Sequence, residues 1–135
     1  MGGAVIHLLD THICIYIINK RPPQVLARFD GLRHGTVGIS SITCAELSFG
    51  VAKSGSARNR DALDKFLAPL EVLPFDEAAM RVYGPLRAAL QRQGQAIGSL
   101  DMLIAAHALA LEATLVTNNL AEFARVPGLV CENWV

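Results

Sequence analysis

The feature that most limits the fold of this chain is residues 98–123, where a helical apolar pattern leads directly into a short apolar strand. Three-and-four spacing, typical of one helix face, is shown by Leu100, Leu103, Ile104, Ala108 and Leu111. Residues 114–117 follow as a buried strand that ends in a polar cluster around Asn119. A buried helix followed directly by a buried strand predicts one unit of an α/β domain.

The same alternation of strand and helix patterns runs through the rest of the chain. Strands are predicted at residues 4–9, 36–39, 71–75, 114–117 and 129–131, and helices at 13–19, 22–29, 40–53, 58–67, 76–93 and 98–112, with a short helix around Glu122. Pro85 is expected to kink the longest helix. The alternation predicts an α/β domain with a mostly parallel sheet of four to five strands and right-handed crossovers.

Length and composition suit one compact domain over residues 1–135, because 52% of the residues are apolar and only 18% are charged. The first ten residues lack the basic lead of a secretory signal, and no apolar run is long enough to span a bilayer. Cys14, Cys44 and Cys131 are widely spaced in apolar segments, which favours reduced thiols over disulfides. We expect a cytoplasmic protein with no membrane-spanning segment.

The net charge is +0, but the basic residues are concentrated in one part of the chain. Residues 19–60 hold seven bases and two acids, so this segment carries +5 and the remainder −5. A solvated basic face would explain the asymmetry, and so would a polyanionic partner such as nucleic acid.

Acidic and amide residues follow the predicted strands or stand at the start of a predicted helix. They are Asp10, Glu46, Asp101, Asn119 and Glu122. Asp10 and Asp101 also have local explanations, as a helix cap and as a first-turn acid that offsets the helix dipole. Thr43 to Glu46 likewise matches a capping box. Because ligands bind beyond the carboxyl ends of parallel strands, however, we expect all five residues at one edge of the sheet.

Such a group of carboxylates has a definite chemistry. Three or four of them within ~4–6 Å repel one another strongly, so they must hold protons or a cation. Oxygen ligands without zinc-type Cys or His spacing favour Mg²⁺ or Mn²⁺. Such ions activate water and stabilise charge on a phosphodiester. The acids therefore predict metal-assisted phosphodiester hydrolysis.

Several blocks of the chain, in this order and spacing, resemble the PIN-domain nucleases and specifically the VapC toxins of bacterial type II toxin–antitoxin modules. The blocks are residues 8–11, 39–47 with Gly50, 97–107, 115–119, 122–123, 126–128 and 132–134. The resemblance implies a three-layer α/β/α fold and a homodimer. It also implies a ribonuclease that a VapB-like antitoxin neutralises in a hetero-oligomer by occupying the active-site groove. Residues 13–18 and 63–70 are expected to offer apolar surface to that partner or to belong to the core.

The resemblance also assigns roles to particular residues. It makes Asp10, Glu46, Asp101 and Glu122 the catalytic acids. The first three are also ligands of Mg²⁺ or a substituting Mn²⁺, and either Glu122 or Asn119 is the fourth ligand. Polar support is implied for Thr11, Thr43 and Asn118. His12 stands where many relatives have Asn, and it is predicted to support the site, to bind substrate or to act as an acid. The other histidines, His7, His34 and His107, are predicted to be core or surface residues.

The chain is therefore expected to be a metal-dependent endoribonuclease toxin that cuts a tRNA or another structured RNA. We expect Lys20, Arg21 and Arg28 to hold the RNA backbone. The alternative is a catalytically inactive PIN-fold module that binds RNA or protein. Two further classes rank lower. A haloacid-dehalogenase-like phosphotransferase needs an Asp where His12 stands, and a receiver-like phosphoacceptor needs a Lys that the last strand lacks.

Overall fold

A parallel sheet of five strands forms the centre of the fold, in the order β3-β2-β1-β4-β5. The strands are β1 (His7–Leu9), β2 (Val37–Ser40), β3 (Glu71–Leu73), β4 (Thr114–Val116) and β5 (Cys131–Glu132). This computed structural model describes residues 5–33 and 35–135, so the first predicted strand residue, Ala4, and His34 lie outside the described residues. The predicted α/β fold with a parallel central sheet is confirmed.

Helices connect the strands and flank the sheet. They are α1 (Thr11–Asn19), α2 (Pro23–Asp30), α3 (Ser41–Ser54), α4 (Ala57–Leu67), α5 (Glu77–Arg92), α6 (Ser99–Leu111) and α7 (Leu120–Phe123). Pro85 lies inside α5 as predicted. Of the helices in residues 5–33 and 35–135, none has the length and apolar character needed to cross a membrane.

Two apolar cores lie on opposite faces of the sheet. Successive strand residues point to opposite faces, so Leu8 packs in one core and Leu9 in the other. The first core contains residues of α5, α6 and α7, and the second contains residues of α1 to α4 together with Trp134. Helices on both faces explain why the central strands are apolar without alternation.

The helix starts differ from the predictions in informative ways. Helix α1 begins at Thr11, because Asp10 caps it, rather than at residue 13. Helix α3 is capped by Ser40, whose side chain accepts the N–H of Ile42. Thr43 is therefore an interior helix residue, and the interpretation of Thr43 to Glu46 as a capping box is wrong. Glu46 is free for another role.

The buried face of α6 is broader than the three-and-four pattern predicts. The helix is buried almost all round from Met102 to Ala108, and His107, predicted to be a core or surface residue, belongs to the core. Leu100, expected in the core, is 41% exposed because the first turn of α6 lies at the open edge of the sheet. This edge is where the carboxyl ends of the strands lie.

Candidate active site

Asp10 lies at the carboxyl end of β1 and is held from two directions. Its Oδ1 atom accepts the backbone N–H of Thr11 at 2.7 Å. Its Oδ2 atom accepts the hydroxyl of Thr117, just beyond β4, at 2.8 Å. Both oxygens of this buried carboxylate are thus satisfied, and its direction at the sheet edge is set by two neighbouring strands.

Asp101, in the first turn of α6, lies beside Glu122 of α7. Their oxygens flank Gly98, because a Cβ added to Gly98 would lie 3.7 Å from Asp101 Oδ2 and 3.6 Å from Glu122 Oε1. Glu122 Oε1 accepts the backbone N–H of Gly98 at 2.8 Å, and Glu122 Oε2 accepts the amide of Asn119 at 2.7 Å. These bonds hold Glu122 against the start of α6.

The pKa values of these two carboxyls are shifted in opposite directions. Burial raises the pKa of Asp101 to about 6, and the negative charges of Asp10 and Glu122 add to the rise. The N–H of Gly98 is the main cause that lowers the pKa of Glu122 below its usual range. Neighbouring carboxyls whose pKa values are driven apart are a common mark of functional sites.

Glu46 reaches the same place from α3. Together with Asp10 and Asp101 it lines a cavity of about 410 Å³ at the carboxyl ends of the strands. Glu122 borders this cavity through its contacts with Gly98 and Asp101. The structure therefore brings the four predicted catalytic acids to one edge of the sheet.

The donor atoms of these acids suit a hard divalent cation, because they are all carboxylate oxygens. Gly98 leaves a gap between two of those oxygens that a side chain would fill. Within the described ranges, no three Asp, Glu, His or Cys side chains lie close enough together to hold an ion as they stand. The acids would have to move closer together around a cation, and Asp10, Glu46, Asp101 and Glu122 are the candidate ligands.

Two of the predicted supporting residues, Thr11 and His12, line the carboxylate cavity. Thr11 contributes its backbone N–H to Asp10, as described above. His12 is exposed, and a positive charge on its ring would lower the pKa of Asp101. Thr43 is fully buried, and its hydroxyl has no hydrogen-bond partner among the residues that the structure describes.

The two neighbouring asparagines have different surroundings. Asn119, a candidate ligand, donates its side-chain amide to Glu122 and its backbone N–H to Thr117 Oγ1 at 3.0 Å. Asn118 instead faces Tyr16 and Asn133, each at 3.4 Å, and makes no hydrogen bond to the acids in the described part of the chain. The arrangement gives Asn119 the closer connection to the site.

A larger groove of about 680 Å³ continues from the carboxylate cavity, with which it shares Thr11 and Glu46. Its walls come from α1, α3 and α4. The apolar lining consists of Ile15, Ile18, Leu47, Val51, Ala62 and Leu63, and the polar lining includes Asn19, Arg58 and Asn59. Of the residues expected to offer apolar surface, Ile13 and Ile17 are buried in the core, whereas Ile15 and Ile18 line the groove.

The basic residues predicted to hold RNA lie outside both cavities. Lys20 and Arg21 are exposed beyond the end of α1. Arg28 forms an ion pair with Glu132, and its guanidinium lies 5.6 Å from the ring centroid of Trp134. An RNA phosphate would therefore have to compete with Glu132 for Arg28.

Two residues of the site, Thr117 and Gly98, were not among the predicted site residues. Thr117 ends the fourth apolar strand, which is the same kind of position that identified Asp10. Gly98 precedes the acidic first turn of α6 and serves as its N-cap. A polar residue at a strand end could have identified Thr117, and a glycine at a helix start could have identified Gly98.

Comparisons with known proteins identify the family of the chain. The family model described as PIN domain matches residues 7–129. The chain is 47% identical to ribonuclease VapC2 of Rickettsia felis, over 96% of this chain and 98% of that protein. It is 43% identical to the tRNA(fMet)-specific endonuclease VapC of Shigella flexneri, over 94% of this chain and 96% of that protein.

A solved structure shows the same similarity in three dimensions. The crystal structure of VapBC2 from Rickettsia felis, bound to a DNA fragment from their promoter, contains a chain that superposes with a TM-score of 0.91. The sequence identity is 46%, and the superposition covers 97% of this chain and 100% of that chain. The chain belongs to the PIN-domain family, among the VapC ribonucleases.

Proposed function

We propose that this chain is an endoribonuclease toxin that hydrolyses RNA phosphodiester bonds with a divalent cation held by Asp10, Glu46, Asp101 and Glu122. The observation that carries the proposal is the meeting of Asp10, Glu46 and Asp101 in one cavity, beside a fourth acid. Mg²⁺ is the proposed ion, with Mn²⁺ able to replace it, because both prefer oxygen ligands.

Each acid has a separate task in this proposal. Asp10 is fixed in position, since Thr11 and Thr117 already donate hydrogen bonds to its two oxygens. Asp101, whose pKa is raised to about 6, would be held in its ionised form by a bound cation, and Glu122 is kept ionised by Gly98 and Asn119. A bound divalent cation supplies Lewis acidity to the attacked phosphate and lowers the pKa of the attacking water.

The substrate class follows from the relatives and from the site. The relatives described above carry the names ribonuclease and tRNA(fMet)-specific endonuclease. We infer RNA as the substrate, with a tRNA or another structured RNA as the first candidate. An unpaired loop fits best, because splayed single-stranded segments are what proteins commonly read in RNA. Cellular RNA as the target places the protein in the cytoplasm.

A VapB-like antitoxin is the proposed partner, since the superposed toxin chain comes from a VapBC complex. We propose that the inhibitory segment of the antitoxin binds in the groove that ends at Glu46, because the apolar side chains of Ile15 and Ile18 in α1 line this groove. Occupation of this groove would block the carboxylate cavity. The toxin itself is proposed to form a homodimer, which would cover exposed apolar side chains such as Val72 and Met80.

The alternative of an inactive PIN-fold binding module is less well supported. A module that only binds RNA or protein has no need for a carboxylate such as Asp101. Burial and the neighbouring acids disfavour the charged form of this side chain. This chain keeps Asp101 beside three other acids.

The test is cleavage of a labelled pool of structured RNA by the purified chain, separated from any antitoxin, in Mg²⁺, in Mn²⁺ and in chelator. We expect cutting only with a divalent ion and products that carry 5′-phosphate and 3′-hydroxyl ends. Asp101→Asn should reduce the rate by at least about a thousandfold, since it removes a ligand charge from the site.

Two results would contradict the proposal. Cleavage that continues in chelator, with cyclic phosphate ends, would indicate a metal-free ribonuclease. A folded, partner-free chain that binds a divalent ion and RNA without cutting would favour the binding module instead.

A further inference from the structure

We propose that Arg58 binds an RNA phosphate close to the scissile one, so that the substrate strand runs from the carboxylate cavity along the adjoining groove. The inference rests on the proposed function, and it names a substrate-binding residue that lies outside the acidic site. It also assigns RNA binding to a different residue from the basic side chains that the sequence analysis favoured, Lys20, Arg21 and Arg28.

The first argument is the continuity of the two cavities. Thr11 and Glu46 line both the carboxylate cavity and the larger groove. A polymer whose scissile phosphate lies among the acids must leave along an open path, and this groove begins at one of those acids. Arg58, on the first turn of α4, lines the same groove.

The second argument is charge. Among the described residues that line these two cavities, Arg58 is the only arginine or lysine. Its guanidinium has no carboxylate within 4.0 Å in the described part of the chain, so no ion pair has to be broken before it binds a ligand. Arg28, by contrast, is already paired with Glu132.

The third argument is chemical fit. A guanidinium donates paired hydrogen bonds to phosphate oxygens, and Asn59 beside it offers a further polar contact. The carboxylates at the other end of the groove repel the phosphates of a polyanion. A cationic side chain near them, such as Arg58, offsets this repulsion and holds the strand. An RNA strand fits this groove, because its anionic phosphates can bind Arg58 and its bases can lie against the apolar walls.

The experiment compares Arg58→Ala with Arg60→Ala. Arg60 lies on the same helix, is also exposed, and does not line the groove, so it controls for the loss of one positive charge. Binding of the labelled RNA pool is measured in chelator over a salt series, and cleavage is then measured in Mg²⁺. Thermal melts establish that both variants are folded.

We expect Arg58→Ala to weaken RNA binding about tenfold, the size expected for one charged hydrogen bond. The slope of log affinity against log salt should fall by about 0.7, as for one lost phosphate contact on a single strand. The KM should rise by a similar factor with kcat nearly unchanged. Arg58→Lys should recover part of the affinity, and Arg60→Ala should change none of these quantities.

Equal effects of Arg58→Ala and Arg60→Ala would overturn the inference while leaving the ribonuclease proposal intact. A loss of antitoxin binding by Arg58→Ala, with RNA binding unchanged, would also overturn it and would assign Arg58 to the protein partner. Failure of the unsubstituted chain to bind and cut RNA would overturn both proposals together.

Discussion

Among single residues, Asp101 is the one whose charge the folded chain opposes most clearly. Burial, Asp10 and Glu122 together raise its pKa from 3.8 to about 6. The folded protein therefore keeps this proton at pH values where the unfolded chain has lost it. The stability that Asp101 contributes is fully present below about pH 4 and is lost as the pH rises through about 6. Glu122 behaves in the opposite way, because its pKa is lowered.

We predict that Asp101→Asn stabilises the metal-free protein above about pH 7, by about 1 kcal/mol once solvent screening of a half-exposed group is included. The gain should disappear below about pH 4, where Asp101 is protonated in both states. Thermal unfolding in chelator across this pH range measures it. Glu122→Gln is the matched control and should destabilise the protein at neutral pH. A destabilising effect of Asp101→Asn at neutral pH would contradict the prediction.

Most of the acids could be located because they come after strands, which apolar runs mark clearly. Asp101 stands instead in the first turn of a helix, which its own apolar pattern marks. Asp10 follows the first such run, and the edge it shares with Glu46 and Asp101 follows from parallel strands. The bond between Asp10 and Thr117 could not be predicted in the same way. It joins residues 107 positions apart, and it depends on the pairing of β1 with β4 rather than on any local pattern.

Between elements, one buried hydrogen bond joins the two helices that carry Glu46 and Asp101. His107 Nδ1 of α6 lies 2.8 Å from Oγ of Ser40, the N-cap of α3. Burial lowers the pKa of His107, which favours the neutral ring. Because Ser40 Oγ already accepts the N–H of Ile42, its hydroxyl is available to donate to a neutral His107.

We predict that Ser40→Ala and His107→Ala are strongly non-additive. Each should destabilise the fold, and the double variant should cost less than the sum of the two by roughly 0.5–3 kcal/mol, the range for side chains in direct contact. Urea denaturation of the four proteins in the cycle measures this coupling. Ser41→Ala in place of Ser40→Ala is the control, since Ser41 bonds to the backbone of Phe75 and not to His107. Additive costs would show that the two helices are joined by packing alone.

The burial of α6 shows where sequence patterns stop being informative. A three-and-four pattern identifies one apolar face, and His107 lies on it, seven residues after Leu100, but Met102 and Ala106 on the other side of the helix are buried as well. Helix α6 is covered almost all round by α5, α3 and the sheet, so position around the helix no longer separates core from surface. Helix existence and order were predicted well because each is a local property, whereas the burial of α6 depends on packing between distant segments.

Across the whole molecule, the sheet separates two cores, and α3 packs Leu47 into one and Ile42 against the other. Trp134, the only tryptophan of the chain, packs in the core of α1 to α4 and is 3% exposed. It contacts His7, and its indole N–H donates to Glu132 at 2.8 Å. The two cores meet through the strands, through Ile42 of α3 and through the bond between Ser40 and His107. We therefore propose that residues 1–135 unfold as one cooperative domain.

We predict that urea unfolds both cores in one transition, because β1 and β4 contribute residues to each. Fluorescence of Trp134 reports on one core, and far-UV circular dichroism reports on all the helices. Their midpoints should coincide, and Mg²⁺ should raise both equally in a partner-free sample. An earlier fluorescence midpoint would show that the α1 to α4 side unfolds independently.

The strand order also has a consequence for synthesis of the chain. Asp10 lies on the central strand, but its partner Thr117 and the acids Asp101 and Glu122 are translated last. At roughly 5–20 residues per second, a ribosome spends several seconds between the first acid and the third. Under the proposed function, the nascent chain lacks two of its four metal-binding acids for most of its synthesis, and the site is completed only when the carboxyl-terminal third has been made.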